Sequence, residues 1–551
     1  MDIDYESDIN YGPEMNLEEE SFDTQKAYRE EFTGAAQVQP GGDTFKAVFE
    51  CDQYAEQRKL NMYYPFASRD EWELVSFIVR SNMTLAATDE FLKLCLTVKM
   101  CLSFSTAKDL RSCVEMLPMG PQWTTKPWES IHPTKSALTL FYRDPLECLQ
   151  WLLQNPLIQD YIHLTPFRLY KTAGKTMRVY NEWLSGDVAW RIQASCLICP
   201  ANRKLAVQYR KSYPKEPQMK ATHHAFLLLA LIPIPKFLEK NKEIKGVLTS
   251  RLFHANMDFI LGPLKIAVQI GIMMSDPLGW HRYCFTPLAS YIVDTPESAL
   301  IAGVAGKTSS VYLKKAKEKR LNGVNHPFWR DWPLAEPSEF LTPEPLHHWT
   351  KMFGDHKKKW CIAAVGAAEI DFRFSVLRPH TGMCHFEDGI SNSKQVTGRE
   401  NRDIQRYIVP VVANTDGVSK DFLIAIRSLH DFRYYGQAPE MDENTLSKMD
   451  EALKFFHDHK HAILKAGVRT GKKGRINNWH IPKLEFMQSV VPNTKANGIP
   501  LQWTADVTEH THITEVKDPA DNSNNQNYEQ QICQHLDCRE KCSTICNIPR
   551  R

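Results

Sequence analysis

The sequence predicts an α+β protein dominated by helix. Capped apolar segments at helical spacing recur between residues 60 and 195 and again near residue 450, whereas strand-like runs are few. Hydrophobic residues make up 43% and charged residues 24% of the chain, the composition of a packed globular protein. At 551 residues there is room for roughly three to four domains.

Taken in order, residues 1–44 are acidic and then Gly- and Gln-containing, too poor in clustered apolar residues to build a core, so a disordered arm is expected. Ser68 and Glu71 form a capping box, and Trp72, Val75 and Val79 keep helical spacing behind it. A second helix opens at Ser105, with Leu110, Val114 and Leu117 on one side. In FYRDPLECLQWLL, Asp144 can cap, Pro145 suits the first helical position, and Glu147 falls at the third. A long helix spans Leu446 to Leu464, its stripe of Leu446, Met449, Leu453, Phe456 and Ile463 ending at Gly467. His457, His459 and His461 on that helix are expected to face solvent. The clearest strand-like run is Leu288 to Val293.

Charge and cysteine usage narrow the function classes. Residues 1–32 carry a charge of −9 and the remainder +11, so the body is basic. Basic runs occur at Lys314–Arg320, Lys357–Lys359 and Lys472–Arg475. Such runs attract a phosphate backbone, and the first also suits a nuclear-import signal, although most short runs are solvated faces. The longest apolar run, Ala225 to Pro235, holds two prolines and is about half of what a spanning helix needs, so no membrane role is expected. No secretory signal opens the chain. The fourteen cysteines therefore suggest reduced, buried thiols.

Two places concentrate acids. LQWTADVTEHTHITEVKDP, Leu501 to Pro519, holds Asp506, Glu509, Glu515 and Asp518 among histidines and threonines. Carboxylates at this density can hold a hard divalent cation; they also make an ordinary solvated face. Asp294 tips the run Leu288–Val293 just before Thr295, Pro296 and Glu297. There it can cap a helix, present a metal ligand, or both. Other motifs are set aside. GVAGKT lacks the glycine that a phosphate-binding loop requires, Ile301 standing in its place. Cys533, Cys538, Cys542 and Cys546 lack zinc-knuckle spacing on what reads as a frayed tail, and Cys196 and Cys199 have no second pair nearby.

Long blocks of the chain resemble one family. YYPFASRDEWEL, FYRDPLECL, Ser275–Ser309, Arg320–Trp349, Ala368–Gly382, Lys394–Val409 and NNWHIPKLEFMQSVVP with WTADVTEHTHITEVKDPA are similar, in the same order, to Plavaka transposases of fungal cut-and-paste DNA elements. The resemblance covers roughly residues 45–545. It implies a ribonuclease H-like core split by a large helical insertion, with acids gathered around Mg²⁺ for two-metal phosphodiester chemistry. On that frame residues 45–195 are a helical N-terminal region and 196–300 a partial core. Residues 301–490 are the helical insertion, and 491–551 the C-terminal helix with its tail. Asp294 resembles the family's second acid and Glu509 its last, making them the expected catalytic and metal-binding residues. Glu344 and His347 resemble an acid-x-x-His element of the insertion and are taken as structural. DNA and a second copy of the chain are the implied partners, and the nucleus the implied location.

The chain also departs from the pattern. The family presents its first acid after an apolar strand, yet ASCLICPANRKLAVQYRKSYPKEPQMK contains only Glu216. A Cys/His finger before Cys51 and a Cys-rich knuckle around Lys307, Thr308 and Ser309 are missing, and the linker from Tyr312 to Arg320 is a basic stub. The expectation is a degenerate transposase remnant that binds DNA without cutting it. The alternative is an active transposase whose first acid comes from Asp187 or Asp276.

Overall fold

The computed structural model describes residues 27–81, 83–197, 208–209, 226–304, 321–393, 396–471, 474–524 and 526–546. The segment after Gln193 that lacks an acid, most of the arm, and the basic runs at 314–320 and 472–473 fall largely outside them. The architecture is α+β, about 52% helical, so helix dominates as expected. The chain divides into two compact units.

The first unit is built mainly from residues 343–503 with 168–181. Its helices Gly398–Val412, Lys420–Tyr435 and Glu443–His459 each begin with a side chain that accepts a backbone N–H, from Thr397, Ser419 and Asp442. Their inner faces bury Ile404, Ile408, Phe422, Phe432, Leu446 and Phe456. Gly436 is dictated by packing, since a Cβ there would meet the Trp349 ring at 2.2 Å. A hairpin pairs Leu169 with Val179, and Met441 adds to its edge opposite Tyr180. The histidines of Glu443–His459 are not uniformly solvated. His457 is half-buried, packs on Phe456 with ring centroids 5.4 Å apart, and accepts from Lys460 Nζ at 2.8 Å.

The second unit comprises residues 31–167, 182–342 and 504–551. The expected caps are present. Ser68 accepts from Glu71 N at 3.2 Å, but Glu71 turns to Ala67 N and to Ser103, so only half of the capping box forms. The next helix starts one residue later than expected, with Thr106 as its cap. Asp144 accepts from Leu146 N and Glu147 N, as its Asp-Pro-x-Glu setting requires. The region is less helical than its caps suggest, because Thr124–Trp128 and Leu138–Tyr142 form an antiparallel pair.

Two corrections concern the ends of this unit. The C-terminal cysteines do not lie on a frayed tail. Tyr528–Cys546 is a helix whose Ile532, Leu536 and Cys542 are fully buried, with Cys542 in one cluster with Phe66, Trp72, Val75 and Val114. Helical spacing of those residues closes a core face that local composition understates. The described cysteines are free, but Cys51, Cys95 and Cys101 are exposed rather than buried. Leu288–Val293 is not a strand either. Its one ladder contact is a parallel bridge from Tyr291 to Leu341, with Tyr291 N donating to Phe340 O at 2.8 Å. Leu288, Tyr291 and Val293 pack instead against Ile301, Phe328 and Phe340. The strand pairings of this unit, such as Ile272–Ser275 with Trp280–Cys284, are antiparallel.

A buried ion pair joins the C-terminal helix to the rest of its unit. Arg143 is fully buried, lies over the Trp123 ring at 4.2 Å, and donates to Glu540 at 2.9 Å. Removing one partner leaves the other charge uncompensated, which costs about 3–5 kcal/mol. Glu540→Ala should therefore destabilise this unit by that order, and Leu536→Ala by roughly 2–5 kcal/mol. Urea unfolding followed by circular dichroism reads both, and unchanged midpoints would mean that the helix is not part of the core.

Candidate catalytic carboxylates

Asp294 is held at the start of a short helix, Thr295–Ile301. Its Oδ1 accepts from Glu297 N at 3.0 Å and its carbonyl from Ser298 N at 2.8 Å, so the capping role is real. The helix is fixed from behind. Ile301 is fully buried, Trp329 Nε1 donates to its carbonyl at 2.7 Å, and His254 Nε2 lies 3.1 Å from Leu300 O. His254 Nδ1 accepts from Phe328 N at 3.2 Å, which suits a neutral ring, and burial lowers its pKa accordingly. Half-buried Asp294 has Glu297 beside it. Burial, and then the charge of Asp294, raise the Glu297 carboxyl above its ordinary value.

Glu509 lies on the helix Asp506–His512 and is exposed. The other acids of that segment are differently engaged. Asp506 accepts from Thr504 Oγ1 at 2.6 Å, and Glu515 is buried against Arg539 Nη2 at 3.0 Å. Between them the chain widens to a π-helical turn, Ile513–Lys517, which departs from the regular spacing read from the sequence. The four acids therefore resolve into one ion pair at Glu515, one local turn contact at Asp506, an exposed Glu509, and Asp518 at the start of the short helix Asp518–Asp521.

The two candidates for a substitute first acid differ. Asp187 is the exposed first residue of the helix Asp187–Leu197. Asp276 is buried in the hairpin turn between Ile272–Ser275 and Trp280–Cys284. Its Oδ1 accepts from Leu278 N and Trp280 N, both at 3.0 Å, and its Oδ2 from Arg282 Nε at 2.8 Å. A carboxylate whose two oxygens already accept three N–H groups is committed to shaping its turn. Releasing it to a cation would strand the Arg282 charge and two backbone donors.

Among the described residues, no group of three or more His, Cys, Asp or Glu side chains is arranged to hold a metal ion. Asp294 and Glu509 are thus not joined there by a third donor.

The family model described as Plavaka transposase matches residues 104–206, 212–317 and 307–361. Over this stretch, a little under half of the chain, the sequence is similar to the Plavaka transposase family. The match includes Asp294 and ends before Glu509. Its matched stretches leave out only residues 207–211, inside the segment whose one acid is Glu216, and the second and third overlap at 307–317. No curated protein matches the chain. No helix among the described residues is long and apolar enough to cross a membrane.

Charges in the helical unit have a different placement from that read in the sequence. Glu344 is fully buried and accepts from Leu346 N, His347 N and His347 Nδ1. Burial opposes its charge, but the hydrogen bonds from His347 and His348 outweigh it and hold the carboxyl at about 2. Of the run Lys357–Lys359, only Lys359 is exposed. Lys357 is 2% exposed, its amine 5.4 Å from the Phe353 ring centre, and burial, then the charge of Arg433, push it down to about 7. This run is interior scaffold more than a phosphate-facing patch.

Lys357 makes stability depend on pH in a defined direction. The unfolded chain keeps this proton to about 10.5 and the folded chain to about 7. Between those values the unfolded state holds more protons, so stability rises with pH; below them the cost is fully present. Lys357→Met should raise stability at neutral pH by roughly 1–3 kcal/mol and flatten this dependence. Thermal melts of both proteins from about pH 6 to about pH 10 read the effect, together with the smaller changes at His430 and Cys361, whose protons the Lys357 charge also influences. A variant that melts no higher near neutrality would contradict it.

Proposed function

We propose that this chain is a transposon-derived protein that holds DNA through its basic body and has lost DNA cleavage. Similarity to the family over residues 104–361 supports the ancestry. The ancestral chemistry is metal-dependent cleavage and strand transfer around Mg²⁺, with Asp294 and Glu509 as the surviving acids. Loss of that chemistry is supported by one observation above the rest: the segment that should present the first acid contains only Glu216. The natural replacement in the same unit, Asp276, has both oxygens occupied by its own turn. Two carboxylates without a third leave a divalent cation short of anionic ligands for two-metal work. The ribonuclease H-like organisation, the helical-insertion boundaries and a nuclear location belong to the same reading.

A nicking and strand-transfer assay on duplex DNA with Mg²⁺ or Mn²⁺ tests it. The expected result is retention of DNA without metal-dependent product, with affinity falling steeply as salt rises because displaced counterions drive the binding. Cleavage by the natural chain that disappears in Glu509→Gln and Asp294→Asn would establish the alternative, an active transposase with its first acid supplied elsewhere.

A further inference from the structure

We propose that the outer face of the helix Gly398–Val412, formed by Arg399, Arg402 and Arg406, is the surface that grips the DNA phosphate backbone. This deepens the DNA-binding reading and rests on it.

The three arginines fall at intervals of three and four residues, which sets them on one face of a helix. All three are exposed, while Ile404, Ile408 and Val412 on the opposite side are fully buried. Seven residues separate the outer two, about 10 Å of helical rise, so the row spans several backbone phosphates. Guanidinium groups suit that task, since their planar forks match phosphate oxygens bidentately.

The acids within this helix offset the row only in part. Glu400 is turned to the helix start, accepting from Thr397 N at 2.7 Å and from its hydroxyl at 2.9 Å. Asp403 is buried, where it accepts from Cys384 N at 2.9 Å and pairs with Arg406 at 3.0 Å. Arg399 donates to the carbonyl of Gly382 at 3.1 Å, which orients it without neutralising it. The face therefore keeps a positive excess.

A second positive layer lies beneath. Arg433 is buried and donates to Gln405 Oε1 at 2.5 Å, a neutral partner on the inner side of the same helix. Burial, and then the charges of Arg402 and Arg406, lower the Arg433 pKa to about 10, which leaves it charged at neutral pH. A charge behind the face in low dielectric is screened less by salt than the arginines above it. The capping box and the buried side chains fix the helix, so the row is ordered before any ligand arrives. Its charge selects a polyanion with regularly spaced phosphates.

The test compares the full chain with Arg399→Glu/Arg402→Glu and with a control of equal charge change, Lys448→Glu/Lys465→Glu, on other exposed positions of the same unit. Retention of a labelled duplex is followed across a salt series, with thermal melting to verify folding. The double arginine variant should bind roughly tenfold more weakly or worse, and each arginine removed should lower the slope of log affinity against log salt by about 1. The lysine control should change little. Equal losses in the two variants would show a diffuse field and overturn the proposal. So would an unchanged arginine variant, which leaves the DNA-binding reading standing. No retention by the natural chain would remove both. Binding of a peptide of residues 1–32, lost in the arginine variant while DNA binding persists, would assign the face to an acidic protein segment instead.

Discussion

A carboxylate oxygen that already accepts an N–H from its own chain is poorly placed to serve a metal, and this constraint governs most buried acids in the protein. Asp276 closes a hairpin, Glu344 starts the turn that follows it, Asp403 holds the chain at Cys384, and Asp442 starts a helix. Each satisfies backbone donors that would otherwise be stranded away from water. Asp294 shares the habit with Oδ1 but is only half-buried. Scaffold duty and catalytic duty draw on the same lone pairs, and here the scaffold has claimed most of them.

Positive charge is organised in the opposite way. Acids are used one by one for local geometry, while arginines and lysines of the helical unit lie near one another. Lys357 and Arg433 sit inside, and Arg402 and Arg406 lie on the outer side of the neighbouring helix. Buried cations with neutral partners are costly in isolation. Their persistence beside an exposed arginine row gives the unit a field suited to anionic partners, independent of any cutting chemistry.

Much of the local structure was legible from pattern. Asp144 and Asp294 announced their helices because a short acid before proline is preorganised to accept the first free N–H groups. The stripe from Leu446 to Ile463 predicts one long helix; its residues are buried as the helical period requires, but the chain divides at Lys460 into Glu443–His459 and His461–Lys465. The row Arg399, Arg402, Arg406 is equally legible in spacing, but spacing alone does not state that this side of the helix faces outward. Misplaced readings share one cause. Local composition misrepresents Leu288–Val293, the lysines at 357–359 and the C-terminal cysteines, because their exposure is set by residues distant in sequence.

Residue identity and short-range spacing already carry the family resemblance, the predominance of helix, the helix starts and the poverty of acids after Gln193. Only the tertiary structure decided that Asp276 is committed to its turn, that Lys357 is interior, and that Tyr528–Cys546 completes a core. Hydrogen-bond occupancy and burial are properties of three-dimensional neighbours, and the linear order of residues does not state who those neighbours are.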